Sequence, residues 1–493
     1  MDINNAATIK PVCLQRTSFG LNAVQIALMA VLLCIGMPLL GITVSEALLN
    51  TLLIFFAVTG LGLWFCHRTR VNLGDEKLKI LINFWLVKLI ITLFLLYAGW
   101  IPQLDPSSER WGYDPQRYFQ DAWDLIEDGW NPIVGSNYQG IIFFYGAIFY
   151  LFGHNPVIPA LINAFITLLG TLFLIRCVYS FVPERTGKDW TIACLLLVPE
   201  VLWYDVMTAR ETLMAVLIII ATLGVGRYLA GVKGVSLAKT LLLSGSALLA
   251  ILAVRTSMAI PVVASIGVMA MLLRSKHKMG PLVKVLLLGL AITMLSAGSY
   301  VQQLTGGYDI DFLKTFNTLQ SFEDNVASRT EWSDNSIGLL VAPNNVWQAA
   351  LYLPIRMVLY LAAPLPNVAV SVTELINGNW GVWQSLMTIP TSAMMLLGLP
   401  FALAGAAQAW RFRRKQPSLL VLHIAFWITF MAVAGGNIII HERYRVMFTL
   451  LLFACMWFGY TRCSLREVMC WALPWFSLLA VGAVFYVGYK FIV

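Results

Sequence analysis

The chain of 493 residues is 59% hydrophobic and only 12% charged, with a mean hydropathy of +0.77. A soluble globular chain carries about 25% charged residues, so this composition excludes a soluble protein and indicates a polytopic membrane protein. The net charge of +8 sits in short loops between apolar runs, a topology signal that removes the need for a nucleic-acid partner.

A bilayer-spanning helix needs about 20 apolar residues. In chain order the expected spans are 22–41, 46–66, 80–100, 157–182, 190–204, 211–230, 239–254, 257–273, 281–300, 383–410, 419–440, 446–462 and 469–490. The first apolar run begins near Leu21 after a polar start, without a small-residue cleavage site, so no cleavable signal peptide is expected. Basic loops, which mark the cytoplasmic side, are Arg68 to Lys79, Arg185 with Lys188, Arg227 to Lys239, Arg274 to Lys284, Arg411 to Lys415, and Arg462 with Arg466. With all of these inside, the apolar stretches 139–153 and 346–363 cannot both be ordinary spans. They are read as re-entrant or membrane-surface helices on the outer side.

The expected fold is therefore an all-α polytopic membrane bundle of about 13 spans, N-terminus inside and C-terminus outside. It divides into N-terminal transmembrane helices (1–79), a transmembrane core with an outer loop at 101–138 (80–300), an outer loop with a membrane-surface helix (301–382), and C-terminal transmembrane helices with an outer turn at 435–445 (383–493). The eight cysteines all lie in apolar spans or cytoplasmic loops, and no pair has zinc-ligand spacing, so neither disulfides nor a zinc site is expected.

Against this apolar background the loop after span 80–100 concentrates Asp105, Glu109, Asp114, Asp121, Asp124, Glu127 and Asp128, with only Arg110 and Arg117 to oppose them. Asp114, Arg117, Tyr118 and Asp121 recur at i, i+3, i+4 and i+7, a spacing that puts all four on one helical face. Three further outer segments carry charge. They are Glu200, Asp205, Arg210 and Glu211 between two spans; Glu323, Asp324, Arg329, Glu331 and Asp334, leading to Arg356; and His441, Glu442, Arg443 and Arg445. Charges at such depth are expensive unless paired or functional.

Lysines fall almost entirely inside, with Lys314 and Lys490 as outer ones. The outer side holds Arg110, Arg117, Arg210, Arg255, Arg329, Arg356, Arg443 and Arg445. The planar guanidinium fork suits phosphate and carboxylate recognition. Each such arginine also has a plainer reading as a partner of a nearby acid or as a snorkelling side chain. His154 reads as a turn residue. No Gly-rich phosphate loop, nucleotide fingerprint or nucleophile elbow is present, which argues against a nucleotide-sugar enzyme or an ATP-driven pump.

Several of these segments resemble one family. Asp114-Pro-Gln-Arg117-Tyr118, followed by Ala122 and Gly129-Trp130-Asn-Pro132, is similar to the first outer loop of the GT-C glycosyltransferases, such as the aminoarabinose and protein mannosyl transferases. Tyr145 to Tyr150, the turn Phe152-Gly-His154-Asn155 and Leu161-Ile-Asn163-Ala164 resemble that family's apolar helix, turn and following span. Thr208-Ala-Arg210-Glu211 resembles its second acidic site, and His441-Glu-Arg443-Tyr-Arg445 its late Glu-Arg-Tyr-Arg motif. The resemblance covers residues 80–230 well and the remainder loosely.

It implies transfer of a sugar from a polyprenyl-phosphate donor to a glycan, lipid or protein acceptor at the outer face of a membrane, in the manner of a bacterial inner membrane protein facing the periplasm. Asp114 would be the general base and Glu211 would orient Arg210 or the acceptor. Arg443, Arg445, Arg210 and Arg356 would bind the donor phosphate. Arg117, Tyr118, Tyr113, Trp111 and His441 would contact sugar or acceptor, although the aromatic residues also fit an interfacial belt. An Asp at its ordinary pKa is a weak base, so a raised pKa or a partner acid would help. The chain departs from the family where Pro115 follows Asp114 in place of a second acid, and where 135–140 lacks a carboxylate. The divalent metal that some members bind is therefore not expected, and no other cofactor is implied. Two alternatives remain open: an O-antigen-type polymerase or ligase acting on a polyprenyl-pyrophosphate glycan, and a flippase or transporter of lipid-linked glycans.

Overall fold

A computed structural model of the chain describes residues 46–69, 75–98, 114–131, 139–181, 189–273, 346–363, 380–436 and 440–492. The regular elements among the described residues are all helices, with no strand among them. In chain order the elements are α1 (Glu46–Arg68), α2 (Asp75–Ala98), α3 (Asp114–Glu127), α4 (Gln139–Phe152), α5 (Val157–Phe181), a 3₁₀ helix (Asp189–Leu197), α6 (Pro199–Asp205), α7 (Glu211–Leu229), α8 (Leu237–Arg255), α9 (Ala259–Leu272), α10 (Val346–Ala362), α11 (Trp380–Phe412), α12 (Leu419–Gly436), α13 (Glu442–Arg462) and α14 (Leu465–Ile492). Among the described residues eight helices are long and apolar enough to cross a membrane: α1, α2, α5, α7, α8, α11, α13 and α14. The expected spans 22–41 and 281–300, and the loop 301–345, lie outside the described residues.

The stretches 139–153 and 346–363 form α4 and α10, of 14 and 17 residues. At 1.5 Å per residue α4 is about 21 Å long, short of a hydrocarbon core of about 30 Å. Helix α9 has the same 14-residue length where a span over 257–273 was expected. The expected span at 190–204 is also different, because it breaks into the 3₁₀ helix and α6. The cause is Pro199, which lacks an N–H and drives the preceding Val198 to an extended conformation (φ −63°, ψ 117°).

Helix α3 is amphipathic. Pro115, Tyr118, Phe119, Ala122 and Leu125 form its buried face, which lies on α4, where Gly146 approaches Leu125 and the Ala122 carbonyl. Asp114, Arg117, Tyr118 and Asp121 fall on one stripe of α3, as their spacing predicts, and that stripe runs along the border of the buried face. Tyr118 is buried, whereas Arg117 donates to Asp121 one turn away at 3.3 Å on the exposed flank. The helix ends where Gly129 and Trp130 take positive φ (69° and 66°) and the Trp130 N–H returns to the Leu125 carbonyl at 2.8 Å. The His154 ring stacks on Phe119 and Trp123, with centroids 4.3 and 4.6 Å away. Burial pushes its imidazole pKa down.

Helices α11 and α13 pack closely, because a Cβ on Gly459 would run into the Phe401 carbonyl. Small residues at such crossings let membrane helices approach. Among the described residues two ion pairs lie wholly inside the bundle, and both anchor α6. Lys88, in the middle of α2, donates to Asp205, which also accepts from Thr167 Oγ1 at 3.0 Å. Arg445 donates from Nε to Glu200 at 2.7 Å.

Candidate functional site

The bridge 206–210 joins α6 to α7 and is buried along its whole length. Side chains from neighbouring helices take up two of its carbonyls: Asn163 on α5 donates to Met207 O and Tyr145 on α4 donates to Ala209 O, both at 2.8 Å. Thr208 donates to the Pro115 carbonyl at 2.5 Å, which brings the first turn of α3 against the entry to α7. The entry to α13 is fixed by His441, an extended N-cap (φ −137°, ψ 136°) whose Nδ1 accepts the Arg443 N–H at 3.2 Å.

Three helix N-termini and the C-terminal residue of α8 thus bring together a single charged cluster. Arg443 Nη2 donates to Asp114, and Arg443 Nε lies 3.6 Å from Glu211 Oε1. Arg210 Nε lies 3.8 Å from the same Glu211 oxygen, and its guanidinium sits 6.0 Å from the Tyr118 ring centroid. The guanidinium groups of Arg255 and Arg443 each lie 4.9 Å from the centroid of Tyr444, and Arg443 Nη2 reaches the Tyr444 hydroxyl at 3.4 Å. The side chains of Asp114 and Arg443 are 21% and 18% exposed, but those of Glu211 and Arg210 only 3% and 6%. The cluster is open at Asp114 and Arg443 and closed behind them.

Among the described residues three arginines here face two carboxylates, which leaves an excess of one positive charge. The N-termini of α7 and α13 add partial positive charge. Burial raises the Asp114 pKa, but the guanidinium groups of Arg443 and Arg210 outweigh it and hold the carboxyl below its usual range. The arrangement offers a dissociated carboxylate at a mouth whose wall can bind an oxyanion.

Asp114, Glu211, Arg210, Arg443 and Tyr118, from distant parts of the sequence, meet in this cluster. Two of the expected phosphate ligands do other work. Arg445 is fully buried. It holds Glu200, Ser392 Oγ at 2.7 Å and the Thr388 carbonyl at 3.0 Å, together with carbonyls of Tyr360, Leu361 and Ala363 at the C-terminal end of α10. Arg356, also buried, donates to the Ala434 carbonyl in the last turn of α12 at 2.6 Å. Cations at helix C-termini satisfy carbonyls that have no partner within the helix, so both arginines are bound into the scaffold. Arg117 is on the exposed flank of α3, and His441 caps α13. Trp111 and Tyr113 lie outside the described residues.

The sequence counted Arg255 among the outer arginines without giving it a role. Tyr444, Tyr145, Asn163 and Thr208 appeared only as letters within motifs. Lys88, hidden in an apolar run, was not singled out. Among the described residues no group of three or more His, Cys, Asp or Glu side chains is placed to hold a metal ion. An apolar cavity of about 520 Å³, lined by residues such as Phe84, Leu195, Met394, Phe401 and Met456, includes none of the cluster residues. No protein-family model, curated protein or solved structure matches the chain.

Proposed function

We propose that the chain is an integral-membrane glycosyltransferase that moves a sugar from a polyprenyl-phosphate donor to an acceptor hydroxyl. The reading includes the GT-C fold, about 13 spans and an active site facing the outside, in a bacterial inner membrane the periplasm. The observation that carries it is Arg443, which reaches both Asp114 and Glu211 with Arg210 and Arg255 close by. A carboxylate base and an oxyanion grip are thereby adjacent, as displacement of a phosphate leaving group requires.

In this reading Asp114 takes the proton of the acceptor hydroxyl. The acceptor oxygen bonds to the anomeric carbon as the bond from that carbon to the phosphate oxygen breaks. The lipid phosphate leaves with the electron pair, and a single displacement inverts the centre. Arg443, Arg210 and Arg255 stabilise the charge that develops on the leaving phosphate, while Glu211 holds Arg210 and Arg443 in place. The lowered pKa keeps Asp114 ionised at neutral pH but makes it a weak base. A phosphate that draws on Arg443 loosens that hold and strengthens the base. Because the leaving group is already a phosphate, the mechanism needs no metal.

The test supplies labelled polyprenyl-phosphate sugars, one at a time, to membranes carrying the protein. Transfer that depends on Asp114 supports the proposal, and transfer only from a pyrophosphate-linked glycan would favour the polymerase or ligase reading. A flippase or transporter draws on one observation, the Lys88–Asp205 pair in the middle of a span. Sugar transfer in detergent, where no gradient exists, separates it from an enzyme.

A further inference from the structure

The cluster depends on a five-residue bridge with no regular hydrogen bonding of its own. Buried backbone carbonyls need partners, and at Met207 and Ala209 they come from side chains. Asn163 serves Met207 and Tyr145 serves Ala209, and the two side chains are joined to each other at 3.1 Å. Thr208 points the other way and donates to Pro115, the residue after Asp114. None of the three side chains is more than 1% exposed. One hydroxyl therefore links the turn that carries Asp114 to the bridge that delivers Arg210 and Glu211. The ion pairs of the cluster cannot set this register alone, since the Arg210 and Arg443 contacts to Glu211 are 3.8 and 3.6 Å long and tolerate sliding.

We propose that Thr208, supported by Tyr145 and Asn163, is a positioning residue that sets the spacing between Asp114 and the Arg210–Glu211 pair. The inference rests on the proposed transfer function for its consequence, but its geometry can be tested without it. A misplacement of about 1 Å costs roughly a hundredfold in rate, so loss of this one hydrogen bond acts on turnover far more than on folding.

The experiment compares Thr208→Val, which keeps the shape and removes the donor, with Thr208→Ser, which keeps the donor. In purified protein, Thr208→Val is expected to lower kcat by about 10- to 100-fold with a smaller change in donor KM and a near-unchanged unfolding midpoint, and Thr208→Ser to recover most of kcat. Wild-type kcat in Thr208→Val, or equal losses in both variants, overturns the proposal. A second arm needs no activity. The coupling between Asp114 and Arg210 is measured from unfolding midpoints of Asp114→Asn, Arg210→Met and the double variant, in the wild-type, Thr208→Val and Thr208→Ser backgrounds. Coupling that falls with Thr208→Val and returns with Thr208→Ser upholds the register even if no donor is turned over, in which case only the transferase reading fails. Coupling equal in all three backgrounds rejects the positioning role even if sugar is transferred.

Discussion

Replacing Arg443 by glutamine removes the cation that bridges two carboxylates. Its side chain is 18% exposed, that of Asp114 21% and that of Glu211 3%. Removing one partner of a fully buried ion pair costs about 3–5 kcal/mol. Solvent reaches the mouth of this pair and screens it, which lowers the expected loss to about 1–3 kcal/mol. The pH dependence follows from Asp114. Burial raises its pKa, and Arg443 and Arg210 together bring it below the unfolded value, which is about 3.9. A depressed folded pKa gives stability that is present above the unfolded pKa and is lost as pH falls through the folded pKa. The stability gap between wild type and Arg443→Gln is therefore widest near neutral pH and narrows on acidification, as pH falls from the higher folded Asp114 pKa of the variant to the depressed one of wild type. The acid limb of the transfer rate moves to higher pH in the variant, because burial is then opposed by fewer cations. Arg443→Lys keeps the charge but loses the fork and falls between the two. Unfolding in detergent from acid to neutral pH, with donor kinetics over the same range, measures both effects. A gap independent of pH, together with an unmoved acid limb, would refute the reasoning.

Two buried scaffold cations should behave differently from Arg443. Arg445→Ala leaves Glu200 buried without its cation and is expected to cost about 3–5 kcal/mol, so the variant loses yield and thermal stability before any donor-specific effect appears. A folded Arg445→Ala protein with a selectively raised donor KM would contradict the placement. Lys88→Met alone breaks the pair within the bundle and is expected to cost a similar amount, whereas Lys88→Met with Asp205→Leu recovers most of it. Equal unfolding midpoints for the single and double variants would show that the pair is not coupled.

The membrane class was legible because bilayer thickness imposes long apolar runs, and α1, α2, α5, α7, α8, α11, α13 and α14 follow them. The break at 190–204 was also written in the sequence, as Pro199, but hydropathy alone does not weigh a missing N–H. The stretches 139–153 and 346–363 were set apart from full spans by the placement of the basic loops, and their helices α4 and α10 are 14 and 17 residues long. In the site, Asp114, Arg210, Glu211 and Arg443 could be grouped because each stands out chemically at a helix boundary. What sequence could not divide was the arginine set. Arg445 and Arg356 carry the same charge in the same kind of segment, yet they end on Glu200 and on helix carbonyls that only packing brings near. The positioning residues were least visible. Tyr145 and Asn163 are ordinary letters in apolar helices until the carbonyls they serve are located.

The most direct measurement of the central claim is transfer of labelled sugar from a polyprenyl-phosphate donor by purified protein in detergent, for wild type and Asp114→Asn with matched unfolding behaviour. The account predicts transfer by wild type and a fall of about 10²- to 10⁴-fold in the variant. Wild-type turnover by folded Asp114→Asn would contradict it.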